Sequence, residues 1–309
     1  MTTPSSTFRG RLPGARALLT GSALAVFLAT GSLAETATTP AAQPTDADLK
    51  VGPSAYSISD TLRICSSEKE VPFSQADGSG FENKIGLALA AAMGREAQFV
   101  WTKKNAIYLV RDGLEKQTCD VVLGVDTGDP RLLTSEPYYR TGYAFVSETK
   151  DNFNGSRWQD VDSPGVKRVS MRLYSPAETI MKYAGKYEDN LAYLYSLVNF
   201  ESRRNQYSDV APERIVSELQ GEADLAIAFA PEVARYVKAS NGALKLTLIT
   251  NALEQQNGVA LALQYDQSVG VRKGDEALLQ AVNTGLAKAA PQIHAILEAE
   301  GIPLLPPSS

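Results

Sequence analysis

The run Val121-Val122-Leu123-Gly124-Val125 has no polar alternation, and it opens directly into Asp126, Gly128, Asp129, Pro130 and Arg131. A strand without a polar face must be covered on both sides, which points to a parallel sheet flanked by helices. The preceding residues supply such a frame. Leu62 to Cys65 reads as a strand. Ser79 and Glu82 have the spacing of a capping box, in which each side chain satisfies an orphaned backbone N–H. Phe81, Ile85, Leu89 and Ala92 then recur at helical spacing and Gly94 stops the run. Ala97 to Trp101 reads as a strand, and Asn105 to Gln117 as a helix. The first third is therefore predicted to be β-α-β-α-β, with right-handed crossovers.

The pattern returns further along. Lys167 to Met171 is predicted as a strand, and Ser175-Pro176-Ala177-Glu178 opens a helix with proline in its first turn. Tyr193 to Phe200 is predicted as a strand and Pro212 to Gln220 as a helix. Asp224 to Phe229 reads as a buried strand and Pro231 to Ser240 as a helix. Leu244 to Ile249 and Gly258 to Leu263 read as strands. Two helices, Asp275 to Ala289 and Pro291 to Glu300, close the chain. The expected fold class is α/β and bilobed: two open α/β lobes joined by two hinge strands. Lobe 1 is expected to hold residues 61–147 and 258–309, and lobe 2 residues 148–257. A length of 309 residues suits about two domains. In open α/β sheets, ligands sit beyond the carboxyl ends of the strands, so the acidic loop falls on the wall of a cleft.

The N-terminus has export character. Arg9, Arg11 and Arg16 lead into ALLTGSALAVFLATGSLA, and Ser32-Leu33-Ala34 fits a cleavage site. Residues 1–34 are expected to be a signal peptide, with Glu35 opening the mature chain in the periplasm. Residues 35–60 are poor in large apolar groups and are expected to form a flexible leader. No cysteine sits by the cleavage site and no later window reaches the ~18 apolar residues of a spanning helix, so no membrane anchor is expected. The net charge of −5 and the lack of a basic block argue against nucleic acid as a partner.

From Leu62 to Glu300 the chain resembles periplasmic solute-binding proteins of the polar-amino-acid type (family 3, type II fold). The resemblance rests on LRIC…VPFS with GSGFENKIGLALAAAMG, CDVVLGVDTGDPR with SEPYYRTGYAFV, ADLAIA before a helix, and VRKGDEALLQAVNTGLAKA. GSGFENK, WTKKNAIYLVRD and CDVVLGVDTGDPRLLTSEPYYRTGY further resemble the J proteins of bacterial methanol-oxidation clusters, the MxaJ/XoxJ type. That resemblance implies an accessory or maturation role for a periplasmic quinoprotein (PQQ) methanol dehydrogenase. The broader one implies the solute-binding component of a transporter for a small polar solute. No cofactor of the chain's own is implied.

The broader resemblance implies three anchors for an amino acid. Arg131 stands where a guanidinium clamps the ligand carboxylate. The stretch Val169 to Ser175 lacks the glycine that would bring backbone N–H groups to the ligand. Phe229 stands where an aspartate meets the ammonium. The cleft candidates are Glu68, Phe73, Asp126, Thr127, Arg131, Arg172, Tyr174 and Phe229, for a ligand or a partner. Ordinary packing competes with that role for each aromatic, and an ion pair with Asp126 or Asp129 competes for Arg131. The acidic loop does not match a calcium loop, and no other metal set is apparent.

Catalytic groups are sparse. His294 is the one histidine and sits among Ala290, Ile293, Leu297 and Glu298 at helical spacing. No enzyme activity is expected, although the fold also hosts dehydratases. Cys65 and Cys119 are the two cysteines of an exported chain, which favours a disulfide. In simple parallel register they would lie about 10 Å apart, too far for a bond; a register shift or a bend before Asp120 removes that objection, and the disulfide is expected over two buried, reduced thiols.

Overall fold

The computed structural model describes residues 60–198, 210–255, 258–306 and 308. The expected signal peptide and nearly all of the expected leader lie outside these residues. Chain order begins with β1 (Thr61–Ser67), α1 (Phe81–Ala92), β2 (Glu96–Thr102), β3 (Val121–Asp126), β4 (Leu133–Thr134) and β5 (Tyr139–Glu148). It continues with β6 (Val169–Met171), α2 (Pro176–Tyr183), α3 (Tyr187–Leu197), α4 (Pro212–Ser217), β7 (Leu225–Phe229), α5 (Ala230–Ala239) and β8 (Leu244–Leu248). The short β9 (Leu253–Glu254) and β10 (Ala260–Leu261), then β11 (Gln264–Val271) and α6 (Glu276–Glu300), complete the order.

The main sheet runs β2-β1-β3-β11-β5-β7-β6, with β4 beside β11 and β8 beside β5. The pairs β1–β2, β1–β3 and β6–β7 are parallel, as the β-α-β pattern requires. Strand β5 is shared. Its first half, Tyr139 to Gly142, pairs antiparallel with β11. Its second half, from Tyr143 onward, pairs with β7 and β8. The partners of β5 thus change between Gly142 and Tyr143, and the chain returns to β11 after Leu263.

Two apolar cores lie on either side of this change. One gathers Leu62, Ile64, Phe81, Ile85, Leu89, Val269 and the α6 stripe Leu278, Val282, Leu286, Ile293 and Leu297. The other gathers Phe145, Val146, Val169, Met171, Ile180, Leu194, Leu225 and Ile227. Burying each such side chain stabilises the fold by roughly 1.5–3 kcal/mol before ordering entropy is counted. Two cores on one shared strand make the bilobed α/β architecture.

Several local expectations are corrected. Tyr193 to Leu197 is helical, within α3, rather than the start of a strand; Asn199 and Phe200 lie outside the described residues. Asn190, Leu194 and Leu197 are the buried residues of α3, at helical spacing. The Asn190 amide donates to Val169 O at 2.8 Å and accepts from Val169 N at 3.0 Å, tying the helix to β6. The two expected closing helices are one continuous helix through Pro291. Leu286, Ala289, Ile293 and Leu297 are all buried, so the apolar stripe continues across the proline, whose own position is exposed. Asn105 to Gln117 forms a 3-10 turn and a π turn rather than a regular helix. The capping box does not form: Gly80 caps α1, and Ser79 Oγ donates to Asp77 Oδ1 at 2.6 Å.

Cys65 and Cys119 are disulfide-bonded, with Cα atoms 5.4 Å apart. The register objection is removed by a bend. Ile64 lies opposite Val121 in the single β1–β3 register pair, so Cys119 precedes the ladder. Thr118 and Asp120 are bends and Gln117 has φ +57°, so the chain turns back toward β1 before the strand begins. The turn is held by Thr118 N to Gly113 O at 3.1 Å and by Arg272 Nη1 donating to Cys119 O at 2.6 Å.

Candidate functional site

The carboxyl ends of three strands converge on one cavity. Cys65 to Ser67 come from β1, Val122 to Asp126 from β3 and Phe229 from β7, and the cavity has a volume of about 470 Å3. The other walls come from the loop after β1 (Glu70, Phe73, Ser74), from α1 (Glu82), from Ala106, Ile107, Leu109 and Val110, and from Tyr143, Tyr265 and Gln267. Pro176 and Glu232 face it from the starts of α2 and α5. The Cys65 end of the disulfide belongs to this wall, so the bond holds the turn before β3 against the site.

Four of the expected cleft residues meet here: Phe73, Asp126, Arg131 and Phe229. Thr127 does not line the cavity. Its hydroxyl lies 3.1 Å from Asp266 O and 2.6 Å from Ser268 Oγ, tying the loop to β11. Arg172 lies outside the cavity and pairs with Glu232, which does line it. Tyr174 is 78 % exposed at φ +59°, next to the turn into α2. Glu68 also stands off the wall, with its backbone N donating to Thr102 O at 3.0 Å.

The acidic loop is occupied with itself. Arg131 Nε lies 3.0 Å from Asp129 Oδ1, and Nη2 lies 2.6 Å from Oδ2. Two parallel charge-assisted bonds occupy the Nε–Nη2 edge of the guanidinium. The Arg131 guanidinium in turn holds the Asp129 carboxyl below the usual carboxylate range.

The cation side is different. Tyr143, Phe229 and Tyr265 form a ring cluster with centroid separations of 5.7, 6.4 and 6.0 Å. Around it the cavity gathers the carboxyl groups of Glu70, Glu82, Asp126 and Glu232. Phe229 at the expected aspartate position therefore does not leave an ammonium without acids nearby; the sequence showed one lost carboxylate and hid those arriving from other elements.

Glu82 is the most informative of these. It is half-buried by surface area and lines the cavity. Surrounding protein strips its carboxyl of bulk water and the Glu70 charge adds to the effect, so its pKa is pushed up to about 8. Its carboxyl has no hydrogen-bond partner among the described residues. A Cβ on Gly124 would meet Glu82 Oε1 at 2.0 Å, and Gly124 has φ +66°. The glycine in the VVLGV run thus makes room for the Glu82 carboxyl. The sequence signal for this was the Gly interrupting the apolar strand; Glu82 itself read as a helix cap.

Gln267 and Tyr265 were hidden by the polar sequence of β11. Gln267 is buried, and its Nε2 donates to Asp126 Oδ1 at 2.7 Å. Among the described residues no group of three or more His, Cys, Asp or Glu side chains is arranged to hold a metal ion. His294 is exposed on α6, away from the cavity.

The comparisons with known proteins agree with this architecture. The protein MoxJ of Paracoccus denitrificans is 54 % identical over 263 residues, covering 85 % of this chain and 95 % of that protein. The chain belongs to the MoxJ family. The MoxJ protein of Methylorubrum extorquens is 47 % identical over 269 residues, covering 87 % of this chain and 89 % of that one. Among solved structures, MxaJ of Methlophaga aminisulfidivorans MPT superposes with a TM-score of 0.73 at 43 % identity, over 79 % of this chain and 100 % of that one. The periplasmic binding protein XoxJ of Methylobacterium extorquens AM1 shares the fold, with a TM-score of 0.56 at 24 % identity over 80 % of this chain and 100 % of that one. No family model matches the chain. The chain therefore carries the type II binding-protein fold expected from the sequence.

Proposed function

We propose that the chain is a periplasmic accessory protein of a PQQ-dependent methanol dehydrogenase system, acting by binding a protein partner. The observation that carries this reading is the 54 % identity to MoxJ along 95 % of that protein. The chemistry of the cleft supports it. The guanidinium at the carboxylate-clamp position is committed to Asp129, so the cleft is not furnished for amino-acid delivery. One large apolar side chain on the cavity wall remains uncovered: Ile107 is 60 % exposed. Among the described residues no helix is long and apolar enough to cross a membrane. Within this reading, residues 1–34 are an export signal, and the lobes are 61–147 with 258–309, and 148–257.

The test is co-purification. Tagged chain expressed in its own periplasm should retain dehydrogenase subunits through washing. Retention of a transporter permease instead, with no dehydrogenase, would favour the solute-delivery alternative.

A further inference from the structure

Three features of the cavity carry a ligand assignment that is independent of the dehydrogenase reading. Among the described residues its walls hold five carboxyl groups (Glu70, Glu82, Asp126, Asp129 and Glu232) against one guanidinium, Arg131, itself paired with Asp129. Arg172 offsets Glu232 from outside the wall, and among the described residues no cation pairs with Glu82 or Asp126. Three of the wall's aromatic rings are in mutual contact. The carboxyl of Glu82, half-buried in the wall, has no hydrogen-bond partner among the described residues.

We propose that this cavity binds an organic cation, an alkylammonium or similar group without a carboxylate, between the Tyr143–Phe229–Tyr265 rings and the Glu82 and Asp126 carboxylates. Rings attract a cation through their negative faces, an effect that grows when water is excluded. Asp126 contributes an oxygen not used by Gln267: Oδ1 accepts from Gln267 Nε2, and Oδ2 has no partner among the described residues. A carboxylate on the ligand would meet excess acid and a guanidinium already engaged.

Glu82 gives the binding a signature. The titratable groups around it are Glu70 from the loop after β1, Tyr138 from the loop before β5 and Tyr139 from β5. Among the described residues none of these supplies a positive charge, and with a pKa pushed up to about 8 Glu82 holds its proton at neutral pH. An arriving cation stabilises the carboxylate, and the proton leaves to solvent as the ion pair forms.

Calorimetry on the full mature chain tests this with n-butylammonium, tetramethylammonium, N-acetyl-lysine amide and butyrate as probes. At least one of the three cations should bind, tenfold or more tighter than butyrate. At pH 7, binding should release up to one proton, read from titrations in buffers of different ionisation enthalpy. Glu82→Gln should abolish the proton release, and Phe229→Ala should weaken binding at least fivefold, with circular dichroism unchanged in both. A response to the small ammonium ions alone identifies a free amine as the ligand; a response to N-acetyl-lysine amide extends the site to a side chain carried on a polypeptide. Butyrate binding as well as the cations, no binding of any cation to the wild-type chain, or cation binding with no proton release would each overturn the assignment.

Discussion

Arg131 and Asp129 are joined by two parallel hydrogen bonds, at 3.0 and 2.6 Å, within a single loop. In an amino-acid receptor that guanidinium face would be open to the ligand. Here one edge of it is engaged by a residue two positions away, which draws its charge toward Asp129. Standard L-amino acids should therefore bind no tighter than millimolar. Asp129→Asn weakens the clasp and should raise affinity for carboxylate-bearing ligands by roughly fivefold, about 1 kcal/mol. Micromolar binding of an L-amino acid to the wild-type chain would contradict this account of the cleft.

The raised pKa of Glu82 makes a prediction about stability. Its folded-state pKa of about 8 lies above the ordinary 4.5, so the folded chain holds a proton that the unfolded chain gives up. Its contribution is fully present below pH ~4.5 and is lost as pH rises through about 8. Urea midpoints should decline between pH 5 and pH 8.5, and Glu82→Gln should flatten that decline. Among the described residues the titratable groups facing Glu82 are Glu70, Tyr138 and Tyr139, and the tyrosine pKa values are raised well above 10. The tyrosines therefore stay neutral through this window. An unchanged slope in Glu82→Gln would show that another group is responsible.

Gly124 and Glu82 are matched by geometry. An alanine at 124 would adopt a left-handed conformation at a cost of about 1–2 kcal/mol and would drive the Glu82 carboxylate from its place. Gly124→Ala should lower the unfolding free energy by that amount and change the pH slope described above. Equal stability and an unchanged slope would show that the carboxylate is free to lie elsewhere.

The disulfide makes a separate prediction. It closes a span of 54 residues, for which chain entropy gives about 4 kcal/mol. Replacing both cysteines by serine should cost about that much. A Cβ at Gly113 would lie 2.7 Å from Cys65 Sγ and 2.8 Å from Cys119 Sγ. The linked sulfurs cannot both move aside, so Gly113→Ala should cost about 1–3 kcal/mol. In a double-serine background the cost should fall, because the obstacle is smaller. Thiol titration of exported protein under denaturing conditions should find no free thiol.

How much was legible in the sequence follows the range of each interaction. The β-α-β order, the α1 stripe from Phe81 to Leu89 and the doubly covered strand Val121 to Val125 were readable because burial imposes their periods locally. Strand β11 was not: Gln264-Tyr265-Asp266-Gln267-Ser268 looks solvated, yet Ser268 Oγ donates to Ser135 O at 2.9 Å and Gln267 reaches Asp126. Polar groups satisfied by residues more than a hundred positions away leave no local pattern. The same applies to Glu82, whose neighbours suggested a cap and whose place is set by Gly124. The bend that closes the disulfide was legible only as a condition, because one turn before Asp120 decides between 10 Å and bonding distance. Tyr193 to Leu197 went the other way: aromatic and aliphatic residues suggested a strand, while the Asn190–Val169 bonds and the Leu194, Leu197 stripe hold a helix.

The proposed role is tested most directly by deleting the gene in its native host and assaying PQQ-dependent methanol dehydrogenase in the periplasm. The account predicts a severalfold loss of dehydrogenase activity, restored by the wild-type gene in trans, with amino-acid uptake unchanged. Full dehydrogenase activity in the deletion strain, with or without an uptake defect, would contradict it.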